Sequence, residues 1–197
     1  MLKEWISIWI TENSNRDFRP QIKEGEKMKK IILAVLFLVV NSMAIEIGKV
    51  PGAVSLSGEN GGKTDGSVWS SSSLKGKVYI VFYVDPDKKD LNNALSAALK
   101  KRHFNRSNYA SVAIINLAAT WMPNALIESK LKSKQKEFPD TTYVKDKKKV
   151  LVKKWSLADD NSNVLVFSKN GALLYKKSGK LSGKEISSVL ELIEKNL

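Results

Sequence analysis

Asp85-Pro86-Asp87 follows directly on the apolar run Lys77–Val84, and no other spacing in the chain carries so sharp a chemical implication. Two carboxylates one residue apart at a strand end can share a Mg²⁺, one attacking a phosphoryl group while the other moves a proton. That reading makes the chain a metal-dependent hydrolase or phosphotransferase using Asp85 and Asp87, with Asp159-Asp160 as further ligands. Against it, no third strand delivers Asp159-Asp160 and no cap-sized insertion is present. The plainer reading is a strand-ending Asp-Pro turn, with Asp90 opening the next helix.

The other chemistry-bearing residues are sparse. Zero Cys removes thiol nucleophiles, redox pairs and thiolate metal sites, and one His removes a His-rich metal centre. His103 follows a helical stretch beside Arg102, with no second His and no nucleophile near it, and reads as a helix-end residue. Asp159-Asp160-Asn161-Ser162-Asn163 is rich in oxygen ligands, but it lacks the glycine and terminal Glu of a calcium loop and reads as a solvated turn. Ser70–Ser73 has no base to activate it and reads as a linker. Trp121-Met122-Pro123 lies after a strand, at the carboxyl end where open α/β sheets present their clefts. Exposed together, Trp121 and Met122 would anchor a partner; tucked under the loop, they would cover the sheet edge. No cofactor is expected from this set.

Positioning these residues falls to the part of the chain beyond residue 44. Met28-Lys29-Lys30, the apolar run Ile31–Val40 and the small residues up to Ala44 have the order of a secretory signal peptide. The run is ten residues long, short of the roughly 20 that span a bilayer. Lys23-Glu24-Gly25-Glu26 back-translates to a run able to contain AAGGAG, a bacterial ribosome-binding sequence, just before Met28. Residues 1–27 are therefore expected to be upstream DNA read in frame, 28–44 a leader cut after Ala44, and 45–197 one exported periplasmic domain. Removing 44 of 197 residues leaves 153, with 26 Lys+Arg against 15 Asp+Glu, a net charge of +11. Only Lys147-Lys148-Lys149 is a compact basic run, and Arg102 and Arg106 are the only arginines left. A solvated basic surface is expected, with no nucleic-acid partner and no stable membrane anchor; the alternative is an electrostatic binder of anionic envelope components through that charge.

Within that domain, Lys77–Val84 and Ser111–Ala118 are near-continuous β-branched and aromatic runs, suited to strands buried on both faces. Leu91, Leu95, Ala98 and Leu99 recur at helical spacing over Asp90–Arg102, and Asn124–Glu137 forms a second helix with Leu126, Ile127 and Leu131 inward. Ile45–Lys63 is a broken lead-in, Thr141–Val144 a short strand, and Val150–Trp155 a short helix or connector, with Trp155 in the core. Asn163–Phe167 and Ala172–Lys176 flank Lys169-Asn170-Gly171, a signal for a tight primed hairpin turn. Ser182 and Glu185 make a capping box and Leu181 and Ile186 a hydrophobic staple for the last helix. The order predicts a βαβ unit followed by a β-hairpin and helix on one mixed sheet, a thioredoxin-like three-layer α/β/α sandwich.

Ser73-Leu74-Lys75-Gly76-Lys77-Val78 resembles the opening of exported thioredoxin-like proteins. GKVYIVFYVDPDKKDLNNAL, YASVAIIN, FPDTTYVKD and the stretch from KKWSLADDNSNVLVFSKNG to the C-terminus are similar to the YtfJ family of bacterial periplasmic proteins, whose role is uncharacterised. The resemblance covers Val50 to the C-terminus. In redox relatives the two cysteines would fall near Lys88 and Leu91, and a cis-proline near Ser162; none of the three is present here. Thiol-disulfide exchange and thiol peroxidase activity are excluded, because both need a thiolate. A scaffold retained without those cysteines and that proline points to a non-enzymatic domain that binds a periplasmic protein or small ligand, with Asp85, Asp87, Lys88, Trp121 and Met122 as candidate contacts.

Overall fold

The computed structural model describes residues 44–197, so the extension expected over 1–27 and the leader, save Ala44, lie outside the described residues. The strands are β1 (Ser55–Leu56), β2 (Gly61–Lys63), β3 (Trp69–Ser70), β4 (Val78–Val84), β5 (Tyr109–Asn116), β6 (Thr141–Asp146), β7 (Ser162–Phe167) and β8 (Leu173–Ser178). The helices are α1 (Asn93–Arg102), α2 (Asn124–Glu137), α3 (Val150–Trp155) and α4 (Gly183–Asn196). Six strands form one sheet in the order β2-β6-β5-β4-β7-β8, and β1 pairs separately with β3. The β4–β5 and β5–β6 pairs are parallel, while β2, β7 and β8 add antiparallel strands at either side.

Alternation along each strand divides the core in two. Val78 and Ile80 of β4 and Val164 and Val166 of β7 face Leu95 and Leu99 of α1 and Val189, Leu190 and Ile193 of α4. A smaller cluster of Leu117, Ile127 and Leu131, with Ile115 and Tyr143 against it, seats α2. On the opposite face Val81, Tyr83, Val112, Ile114, Val144, Leu165 and Phe167 are covered by Leu151 and Trp155 of α3 and by Leu56 and Trp69. Trp155 is buried, as expected, and its indole donates to the Gly52 carbonyl at 2.9 Å. These two buried faces are why β4 and β5 read as unbroken apolar runs.

Several elements differ from the sequence expectation. The lead-in is not structureless: β2 pairs with β6 at the sheet edge, and β1–β3 make a lid over the core. Gly61 has φ +130° and an added Cβ would sit 1.8 Å from the Lys145 carbonyl oxygen, so glycine is what lets this edge strand approach. Helix α1 begins at Asn93 rather than Asp90, because Pro86–Lys88 forms a 3₁₀ turn first. Leu126 lies 48% exposed, on the outer side of α2 rather than inward. β6 runs on to Asp146 and β5 ends at Asn116, each two residues from the expected limit. The hairpin turn is not of the primed type, since only Gly171 has positive φ; Ser168 accepts from the Gly171 N–H, closing a three-residue loop that ends in that glycine.

Candidate functional site

Four strands end in a row of polar side chains on one sheet face. Ladder register sets Asn116 beside Asp146, and Val84 beside Ile115, so that Asp85 continues next to Asn116. Asn163 pairs with Tyr83 on β7. Asp85, Asn116, Asp146 and Asn163 share the parity of Tyr83, Ile114, Val144 and Leu165, so all four cap the core beneath α3. All four are buried. This is the carboxyl end of the parallel strands, where open sheets hold their ligands.

Three members of the row hold the surrounding loops. The Asp146 carboxylate accepts from the N–H groups of Lys148, Val150 and Leu151 at 2.9–3.1 Å and from the Tyr83 hydroxyl at 3.2 Å. It satisfies the free amides at the start of α3, whose own N-cap residue, Lys149, offers no side-chain acceptor. Asn163 accepts from Ala158 N–H and donates to the carbonyls of Ala158 and Tyr83, tying the 158–161 loop to β4. The Asn116 amide donates to Asp159 at 3.1 Å, and Asp159 pairs with Lys149 at 2.6 Å. That lysine and its hydrogen bond hold Asp159 below the usual carboxylate range.

Asp85 is the exception. It is fully buried, and neither carboxylate oxygen has a hydrogen-bond partner among the described residues; Asn116 Oδ1 is likewise orphaned. Burial pushes its pKa up, the Asn116 side chain and Asn161 backbone pull it part of the way back, and Asp159 and Asp160 add to the rise. Its main chain is well tied: Asp85 N–H donates to the Asn161 carbonyl at 3.0 Å, and its carbonyl accepts from Lys88 N–H at 2.8 Å.

The remaining candidates divide. Asp87 is exposed while Asp85 is buried, so the pair does not face a common site. Asp159 is engaged by Lys149, and among the described residues no group of three His, Cys, Asp or Glu could hold a metal ion. Lys88 and Leu91, where redox relatives would carry cysteines, both line an open hollow of about 250 Å³ with Asp87, Asp90 and Lys180. Trp121 stands 91% exposed, whereas Met122 turns inward against the Leu117, Ile127 and Leu131 cluster. Neither joint expectation for this dipeptide holds, because the two side chains part. His103 caps the end of α1 with φ +47°, as a helix-end residue should.

The sequence reading missed Asn92, Asn116 and Asp146, and took Ser162 and Asn163 for a solvated turn. Both of the latter are buried. Asn92 donates to Ser162 Oγ at 3.0 Å and the Gly179 carbonyl at 3.1 Å, and accepts from Leu181 N–H, locking the start of α1 to that of α4. The available signal was a polar residue directly after apolar residues, in Val84-Asp85 and Ile115-Asn116; Asp146 follows Lys145 and carried no such mark.

The family model described as "Bacterial protein of unknown function (YtfJ_HI0045)" matches residues 49–196. An uncharacterized protein of Haemophilus influenzae is 28% identical over 179 residues, covering 84% of this chain and 97% of the relative. The uncharacterized protein YtfJ of Escherichia coli is 27% identical over 132 residues, 66% of this chain and 72% of the relative. Among solved structures, a putative thioredoxin from Neisseria meningitidis superposes with a TM-score of 0.54 at 16% identity, over 75% of this chain and 91% of that one. The likeness is one of thioredoxin-like fold.

Proposed function

The chain belongs to the YtfJ family of bacterial proteins of unknown function, and on that premise we propose that it is an exported, non-catalytic binding domain. It engages a periplasmic protein or small ligand at the carboxyl end of its sheet. The observation that carries this reading is the hollow lined by Lys88 and Leu91, near where the resemblance to redox relatives would put a thiol pair; the surface stays accessible and the chain has no Cys. Thiol exchange requires a thiolate, so recognition is what such a face can still do. Asp87, Lys88, Asp90 and Lys180 offer both charge signs around one apolar side chain, Leu91. Trp121, in the loop after β5, offers a large, rigid anchor with little conformational entropy to lose.

Cross-linked pull-down from the periplasm, using the exported protein as bait, tests this. The wild type is expected to capture a defined partner that both Trp121→Ala and Leu91→Asp lose while keeping wild-type urea midpoints. Equal capture by all three proteins would refute the assignment of the face. Capture that collapses in every protein between low and moderate salt would assign binding to the basic surface instead.

A further inference from the structure

We propose that Asp85 is a proton-holding site, a carboxylic acid kept neutral inside the polar row, whose ionisation loosens the Pro86–Lys88 turn and the 158–161 loop. Three buried oxygens, both of Asp85 and Oδ1 of Asn116, lie at adjacent strand ends with no donor among the described residues. An ionised carboxylate accepts only, so this set lacks a hydrogen; a protonated Asp85 supplies one. Burying a carboxylate without a partner is costly enough that such groups neutralise instead.

The charged groups around Asp85 oppose ionisation on balance. Asp159 and Asp160, on the loop before β7, raise its pKa together with burial. Tyr83, on its own strand, is buried and bonded to Asp146, so it brings no positive charge. Among the described residues the cation coupled to this group is Lys149, before α3, and its ammonium is bonded to Asp159. A negative charge on Asp85 would thus face Asp159 and Asp160 with only the shared Lys149 and the Asn116 and Asn161 dipoles to offset them. Its main-chain bonds join those two segments: Asp85 N–H to Asn161, and Lys88 N–H to Asp85. Lys88 lines the hollow, so the proton also governs the shape of the proposed binding face. That last consequence rests on the binding reading; the proton site does not.

The sign follows from the raised pKa. The folded state holds its proton to higher pH than the unfolded chain, so this group's contribution to stability is fullest at low pH. It falls as pH rises from the ordinary aspartate range through Asp85's raised value, tenfold in the folding constant per pKa unit.

Urea midpoints against pH for the mature protein and Asp85→Asn, with ¹³C carboxyl NMR of the wild type, test the proposal. Expected are one aspartate signal that stays in its protonated position when the others have ionised, and a wild-type midpoint that falls over the interval where this signal moves. Asp85→Asn should lack both the signal and that fall. Amide protection at Asp85 and Lys88 should drop over the same interval in the wild type alone. An Asp85 signal titrating with the other aspartates would overturn the proton site, and needs no variant to fold. A wild-type midpoint raised by Ca²⁺ or Mg²⁺ but unmoved in Asp85→Asn would overturn it in favour of a cation. Titration as expected with unchanged amide protection would overturn the switch. Pull-down repeated on both sides of the interval separates the two readings: no capture at either pH sinks the binding face and leaves the proton site intact.

Discussion

Exposure divides the tryptophans of this domain into two energetic classes. Trp121→Ala is expected to move stability by less than about 0.5 kcal/mol, since the ring is 91% exposed. Trp155→Ala, which empties a buried site packed against Phe167, should cost about 3–5 kcal/mol. Asp146→Ala belongs with the second class: it strips the acceptor from Tyr83 and from two amides of α3. Buried bonds to a charged group are each worth about 1.5–3 kcal/mol. Urea titrations of the three variants beside the wild type check this ordering, and an Asp146→Ala midpoint equal to that of Trp121→Ala would contradict it. Trp155 was legible as core because apolar residues surround it in the chain. Trp121 and Met122 were not separable, because adjacent residues in a loop share the same local context and only their spatial neighbours differ.

The last helix is the element most completely specified by local signals. Ser182 caps Glu185 N–H and the Glu185 carboxylate returns to Ser182, forming the expected box. Leu181 is buried and Val189, Leu190 and Ile193 line the inner face. Ser182→Ala should cost about 1 kcal/mol. Lys177 and the Ser182 hydrogen bonds together hold Glu185 down to about 2. Its stabilising contribution is therefore full above the ordinary glutamate value of 4.5 and is lost as pH falls toward about 2. Thermal melts of wild type and Glu185→Gln should converge over that acidic interval and separate above it; parallel curves throughout would argue against the pairing. Helix α3 shows the opposite case. Six residues carry too little periodicity to distinguish helix from connector, and its start is held by Asp146, a residue outside the element.

At the scale of the molecule, the expectation of export concerns residues outside those described and stays a proposal. N-terminal sequencing of the native protein should begin at Ile45, and no peptide should cover 1–27; mature protein retaining Trp5 or Trp9 would contradict it. Among the described residues no helix is long and apolar enough to cross a membrane. The sheet itself joins segments far apart in the chain: β2 pairs with β6 across some eighty residues, and β4 lies between β5 and β7. The βαβ order and the later hairpin made β4, β5, β7 and β8 legible. The edge strand β2 was not, because its glycines signal a break locally and become a strand only against the Lys145 backbone.

By itself the sequence determined the order of β4, α1, β5, α2, β7, β8 and α4, the capped final helix, the thioredoxin-like class and the absence of any thiol chemistry. The elements and the cap depend on residue type, run length or spacing within about fifteen positions, the range over which periodicity and capping act, and the class follows from their order. Tertiary structure alone decided that Asp85, Asn116, Asp146 and Asn163 stand in one row, and that three of them are satisfied while Asp85 is not. It also decided that Trp121 faces solvent and Lys88 and Leu91 share a hollow. The reason is physical: burial and hydrogen bonding are properties of neighbours. At the carboxyl end of this sheet those neighbours come from segments 30 to 80 residues apart, brought into register only when the ladders close.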